Sequence, residues 1–210
     1  MRRLPIYILL DTSGSMRGEP IEAVKVGMEM LLSSLRRDPY ALETVWLSVI
    51  TYDLEAKLLT PLTELSEFVL PEIPVPETSP TNLGEALELL LTRYREEVKL
   101  STPTEKGDWL PLLIVMTDGA PSDSYLYKQM TAELKKFRFA RIIACAAGPK
   151  AKTEPLKNLT NDVYSLDTMD ASTFGKFWAW VSTTVGAKSR ATDAVDEELP
   201  PPPDEIKLVL

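Results

Sequence analysis

Histidine is missing from all 210 residues, and cysteine occurs once, as Cys145. Without an imidazole there is no Ser-His-Asp or Cys-His relay, and one thiol cannot build an ordinary structural zinc cluster. An intrachain disulfide is likewise impossible, which suits a reducing compartment. Cys145 lies inside Ile142-Ile143-Ala144-Cys145-Ala146-Ala147, so a buried strand thiol is expected rather than a nucleophile. Cationic side chains are also short: 23 Lys and Arg against 31 Asp and Glu leave a net charge of −8. Nucleic-acid binding needs clustered Lys and Arg to neutralise phosphates, so no nucleic-acid partner is expected. No apolar stretch is long enough for a membrane span, and the run behind Arg2-Arg3 stops at Asp11, too soon for a signal peptide. A cytoplasmic protein is expected. A Gly-x4-Gly-Lys-Ser/Thr loop for nucleotide phosphates is absent as well.

What is present alternates between two periodicities. Leu4 to Leu10 is a nearly unbroken apolar run, as in a central parallel strand covered on both faces. Ile21, Val24, Met28, Leu31, Leu32 and Leu35 then fall on one helical face. Glu43 to Asp53 is rich in β-branched and aromatic residues, and Ala56 to Thr60 follows closely enough to pair as an antiparallel edge strand. Five prolines between Pro61 and Pro80 make that stretch a loop. A helix from Leu83, a strand from Trp109 to Thr117, a helix from Ser122 or Asp123 and a strand from Arg141 to Ala147 come next. A short helix at Thr153, a strand from Val163 to Leu166 and a helix capped by Ser172 complete the order. The alternation predicts an α/β fold: a doubly wound, mostly parallel six-stranded sheet with one antiparallel edge strand and helices on both faces. With 44% hydrophobic residues, one domain over 1–189 followed by an acidic, proline-rich tail over 190–210 accounts for the chain.

Chemistry gathers where strands end. Asp11-Thr12-Ser13-Gly14-Ser15 follows the first strand, Thr81 precedes a helix, and Thr117-Asp118-Gly119 follows the second apolar run. A carboxylate or hydroxyl in any one of these is an ordinary turn or cap, but three such loops in this order gather oxygen ligands for a hard cation. Mg²⁺ is expected, with Mn²⁺ or Ca²⁺ as alternatives. Asn82 and Glu85 have the capping-box spacing, which would leave the Thr81 hydroxyl for other use.

The set Asp11, Ser13, Ser15, Thr81 and Asp118 resembles the metal-ion-dependent adhesion site of von Willebrand factor A domains, whose Asp-x-Ser-x-Ser, distant Thr and distant Thr-Asp-Gly are all matched. The resemblance implies a Rossmann-like fold over roughly residues 4–186 and a cation that accepts an Asp or Glu carboxylate from a protein partner. It also implies coupling between that site and the last helix, Ser172 to Gly186. Arg2 to Tyr7, Gly18 to Val24, Asp38 to Thr44 and Gly107-Asp108-Trp109 are similar to the bacterial tellurium-resistance proteins of the TerY type. That similarity implies a cytoplasmic stress-response interaction module with kinase-like or phosphatase-like partners, and no enzyme activity. The alternative is a Mg²⁺-dependent phosphatase or phosphotransferase with Asp11 as nucleophile, although Ser13 stands where haloacid-dehalogenase-type enzymes need a second Asp.

Two readings concern the C-terminal end. Trp180 falls off the buried helical face, either as an exposed partner contact or beneath the tail. Ile206 to Leu210 is either part of a solvated extension or a short peptide able to pair with a sheet edge.

Overall fold

The first strand, β1, spans Leu4–Asp11, and all eight of its residues are buried, which explains its unbroken apolar character. In the computed structural model, residues 2–149, 151–190 and 201–209 are described. After β1 the chain forms α1 (Glu19–Arg36), α2 (Pro39–Thr44), β2 (Val45–Tyr52), β3 (Ala56–Glu64), α3 (Leu83–Glu97) and β4 (Leu112–Thr117). It continues through α4 (Ser124–Leu134), β5 (Arg141–Ala147), α5 (Thr153–Lys157), β6 (Val163–Leu166), α6 (Ala171–Arg190) and β7 (Ile206–Leu208). The sheet order is β3-β2-β1-β4-β5-β6-β7, parallel through the middle, with β3 antiparallel to β2.

The doubly wound architecture is as expected, but the sheet has seven strands instead of six. The additional one is β7, which pairs antiparallel with β6 through Tyr164↔Leu208 and Leu166↔Ile206. Ile206 is buried, and the Val209 amide donates to the Val163 carbonyl at 2.8 Å. Residues 206–209 are therefore edge-pairing; the acidic stretch from Asp193 to Pro200 lies outside the described residues.

Alternation along β1 divides the core. Leu4, Ile6, Ile8 and Leu10 pack with Val24 and Met28 of α1 and Trp178 of α6, whereas Tyr7 and Leu9 pack with Leu87 of α3 and Leu134 of α4. The two helices on the first face meet closely. A methyl group built on Gly27 would stand 2.3 Å from the Trp178 ring, so only glycine admits the indole there. Ser34 and Ser182 hydroxyls bond across the same seam at 3.0 Å.

Three local differences have physical causes, and one of two open readings is decided. Pro39 opens a short helix whose first turn is capped by Asp38, accepting from the Tyr40 amide at 3.0 Å, so the following strand starts at Val45 and not at Glu43. β3 runs through Pro61 to Glu64, which an edge strand tolerates because its outer amides need no partner. Asp170 caps α6 by accepting from the Thr173 amide at 2.9 Å, in place of Ser172, and hydrogen bonds led by that of Thr168 hold its carboxyl below the usual range. Trp180 is buried, 4.6 Å from the Tyr164 ring and in the cluster containing Ile206, so it is not a surface contact.

Candidate metal centre

The chain leaves β1 toward β2 on one side and leaves β4 toward β5 on the other, so the switch point of the sheet lies between the C-terminal ends of β1 and β4. Asp11 ends one strand and Thr117 the other. The Thr117 hydroxyl donates to Asp11 Oδ2 at 2.7 Å, and the Ser13 amide donates to Oδ1 at 2.8 Å. Both carboxylate oxygens are thus fixed, and the residue is 1% exposed. Beyond it the loop makes one 3-10 turn, Gly14–Met16, pinned by the buried Met16 side chain. The Ser13 and Ser15 hydroxyls lie 3.2 Å apart, Ser13 buried and Ser15 exposed. Gly14 sits under the proline-rich segment: a methyl group on it would be 2.9 Å from the Glu77 carbonyl.

That segment delivers Thr81 by two anchors. The Asn82 amide donates to the Asp53 carbonyl at 2.9 Å. Thr81 and Ser122 clamp each other, the Thr81 amide donating to Ser122 Oγ at 3.0 Å and the Ser122 amide to the Thr81 carbonyl at 2.8 Å. The Thr81 hydroxyl faces the Gly119 backbone, 3.4 Å from where a methyl group there would stand. The first turn of α3 is capped from a distance: Asp123 accepts from the Gly84 and Glu85 amides at 3.1 and 2.9 Å. This replaces the expected capping box, because Asn82 donates to the Leu54 carbonyl and Glu85 accepts from the Ala56 amide. Ser122 and Asp123 therefore bind the Thr81 loop to the Asp118 loop.

All three loops converge at one end of the sheet. Asp118 is 7% exposed, and its Oδ1 is buried without a hydrogen-bond partner. Burial pushes the Asp11 carboxyl up to about 6, against the bonds from Ser13 and Thr117, and the Asp118 charge adds to the rise. A buried carboxylate disfavoured in its charged form, an orphaned second carboxylate oxygen and neighbouring hydroxyls form an oxygen set that suits a hard cation. Among the described residues no three Asp, Glu, His or Cys side chains gather as a cluster, so hydroxyls make up the rest of the set.

Sequence reasoning placed Thr117 in the Thr-Asp-Gly motif and Asp123 at the start of a helix but gave neither a role at the site. Thr117 was visible in principle, since strand alternation puts it on the Asp11 side of β4. Asp123 was not, because its amide partners lie some forty residues earlier.

The family model for the von Willebrand factor type A domain matches residues 6–175. Among solved structures, the chain is similar to proximal thread matrix protein 1 from the mussel byssus with a zinc-occupied MIDAS motif, at 18% identity and TM-score 0.59, over 90% of this chain and 46% of that one. It is similar to a von Willebrand factor type A protein from Catenulispora acidiphila at 13% identity and TM-score 0.62, over 88% and 43%. The hypothetical protein BatB from Bacteroides thetaiotaomicron aligns at 15% identity and TM-score 0.53, over 88% and 99%. At these identities the likeness concerns the fold, and the chain spans less than half the length of the first two. Among curated proteins none matches the sequence significantly.

Proposed function

Because the chain belongs to the von Willebrand factor type A family, we propose that it is a metal-dependent protein-interaction module whose divalent cation is held by Asp11, Ser13, Ser15, Thr81 and Asp118. The observation that carries the reading is the buried Asp118 Oδ1, which has no hydrogen-bond partner among the described residues at the point where the three loops meet. When bound, the cation supplies an electrophilic position that an Asp or Glu of a partner can occupy. Ser13, Ser15 and Thr81 offer neutral oxygens, so the set leaves the cation more electrophilic toward an incoming carboxylate than a set made of carboxylates alone would. Asp11 is a poor nucleophile, with both oxygens engaged as acceptors and 1% exposure, which favours binding over the phosphatase reading. Mg²⁺ is the proposed metal, with Mn²⁺ or Ca²⁺ as alternatives.

The partner we propose is a kinase-like or phosphatase-like protein of a cytoplasmic tellurite or stress-response system. Support comes from the stretches resembling TerY-type proteins, among them Gly18-Glu19-Pro20-Ile21-Glu22-Ala23-Val24. Among the described residues, no helix is long and apolar enough to cross a membrane. Calorimetric titration tests the metal: Mg²⁺ or Mn²⁺ should bind the parent at one site and bind Asp11→Ala and Ser13→Ala at least tenfold more weakly. Equal binding by parent and variants overturns the site. Phosphate release from a generic aryl phosphate, dependent on Mg²⁺ and lost in Asp11→Ala, would establish the enzyme reading instead.

A further inference from the structure

At the opposite end of the sheet from the metal centre, the chain carries a cavity of about 780 Å³. Leu4, which begins β1, lies on its floor, while Asp11 ends the same strand, so the two sites are roughly 25 Å apart at strand rise. Tyr94, Trp109 and Phe137 give it an aromatic wall, extended by Val98, Leu110 and Pro111. At its edge Leu100 is 73% exposed.

The charge around this cavity runs against the rest of the molecule. In a chain of net charge −8, its lining contains Arg2, Arg95, Lys99, Lys136 and Arg138 against the single acid Asp108. Asp108 is already neutralised by Arg3 at 2.6 Å. Glu133 stands 3.7 Å from Arg95 and 2.6 Å from Lys136, which offsets part of that pair. The Lys99 ammonium and Arg138 guanidinium make no ion pair among the described residues. Two guanidiniums lie on the aromatic wall, Arg2 over Trp109 at 3.7 Å and Arg95 over Phe137 at 4.9 Å. Lys99 and Arg138 follow the C-terminal ends of α3 and α4, where helix carbonyls favour cations. That tolerance accounts for their sign but leaves their charge unmatched.

We propose that this cavity is a binding site for a small aromatic anion, its ring held among Tyr94, Trp109 and Phe137 and its carboxylate, phosphate or sulfonate held by Lys99 and Arg138. The volume falls in the range of small-molecule pockets, and an apolar lining with a few charged groups at the edge is the usual chemistry of such sites. Ring stacking supplies contact area, and the unmatched cations select for negative charge. The site is independent of the metal reading, since it shares no residue with the three loops.

Fluorescence titration of the full chain with 8-anilinonaphthalene-1-sulfonate, an aromatic sulfonate, tests this. Binding should saturate at one site per chain and persist both in EDTA and in Ser13→Ala. The pair Lys99→Glu with Arg138→Glu should weaken it at least tenfold, and the milder pair Lys99→Gln with Arg138→Gln at least threefold, with the melting temperature unchanged. The neutral analogue N-phenyl-1-naphthylamine should bind parent and variants within threefold of one another. Sulfonate binding unaffected by either pair, or lost together with the neutral analogue and the melting temperature, overturns the proposal. A Glu-rich peptide that binds where the sulfonate does not would assign the cleft to a protein partner and also overturn it.

Discussion

Replacing Asp11 with asparagine should stabilise the metal-free protein and weaken the metal-bound one. Burial lifts the carboxyl from 3.8 to about 6, so the folded state holds its proton more tightly than the unfolded chain does. The penalty for ionising it is complete above the folded value, shrinks as pH falls, and is nearly gone at the unfolded value. A rise of about two units corresponds to about 3 kcal/mol at pH 7 and less than about 1 kcal/mol at pH 4. The amide keeps the local bonds: its oxygen can still accept from the Ser13 amide, and its nitrogen faces the Thr117 hydroxyl, which can accept. For a chain of this length, 3 kcal/mol is roughly 6–12 °C in melting temperature. The assay is chemical denaturation in EDTA between pH 4 and 7.5, repeated with saturating Mg²⁺. In EDTA at neutral pH Asp11→Asn should be the more stable, with the gap closing toward pH 4. With Mg²⁺ the parent should gain about 2.7 kcal/mol at a hundredfold excess over Kd, and the variant little. A variant less stable than the parent in EDTA at pH 7, or a gap that does not move with pH, would refute the reasoning.

Asp123→Ala removes the acceptor for the Gly84 and Glu85 amides and should cost about 1–2 kcal/mol by urea unfolding, as a lost cap does. It should also weaken Mg²⁺ binding in calorimetry, because the same side chain ties the Thr81 loop to the Asp118 loop. Gly27→Ala forces the Trp178 ring to move and should cost about 1–3 kcal/mol, read by the same unfolding and by a shifted tryptophan emission. Ile206→Ala empties a buried position of β7 and should cost about 2–4 kcal/mol, with faster amide exchange at Val209, whose amide donates to Val163.

The contiguous parts of this molecule were readable from the chain. Leu4 to Asp11 announces a buried strand with a polar end, and Ser13 and Ser15 follow at fixed spacing. Thr81 and Asp118 each stand beside a strong periodic segment; the sheet order brings Asp118 to the end of β1, and the Asn82 and Ser122 hydrogen bonds bring Thr81 there. What was hidden depends on partners far along the chain. The cap of α3 comes from Asp123, so the local Asn82 and Glu85 spacing misleads. Trp180 falls off the buried face of a helical wheel, which leaves it exposed or beneath the tail, and a strand from beyond residue 200 decides for the second by closing the sheet edge beside it. Pro39 to Thr44 escaped because fewer than two turns of helix leave too short a period beside the β-branched residues that follow.

The notch that Gly27 offers Trp178 fixes the register between α1 and α6. One helical turn is about 5.4 Å, so sliding α6 by a turn in either direction would bring the indole to the level of Ala23 or Leu31, and each carries the Cβ for which the ring leaves no room. The packing thus works as a keyway with one slot: the last helix travels along the domain only if the ring first leaves it.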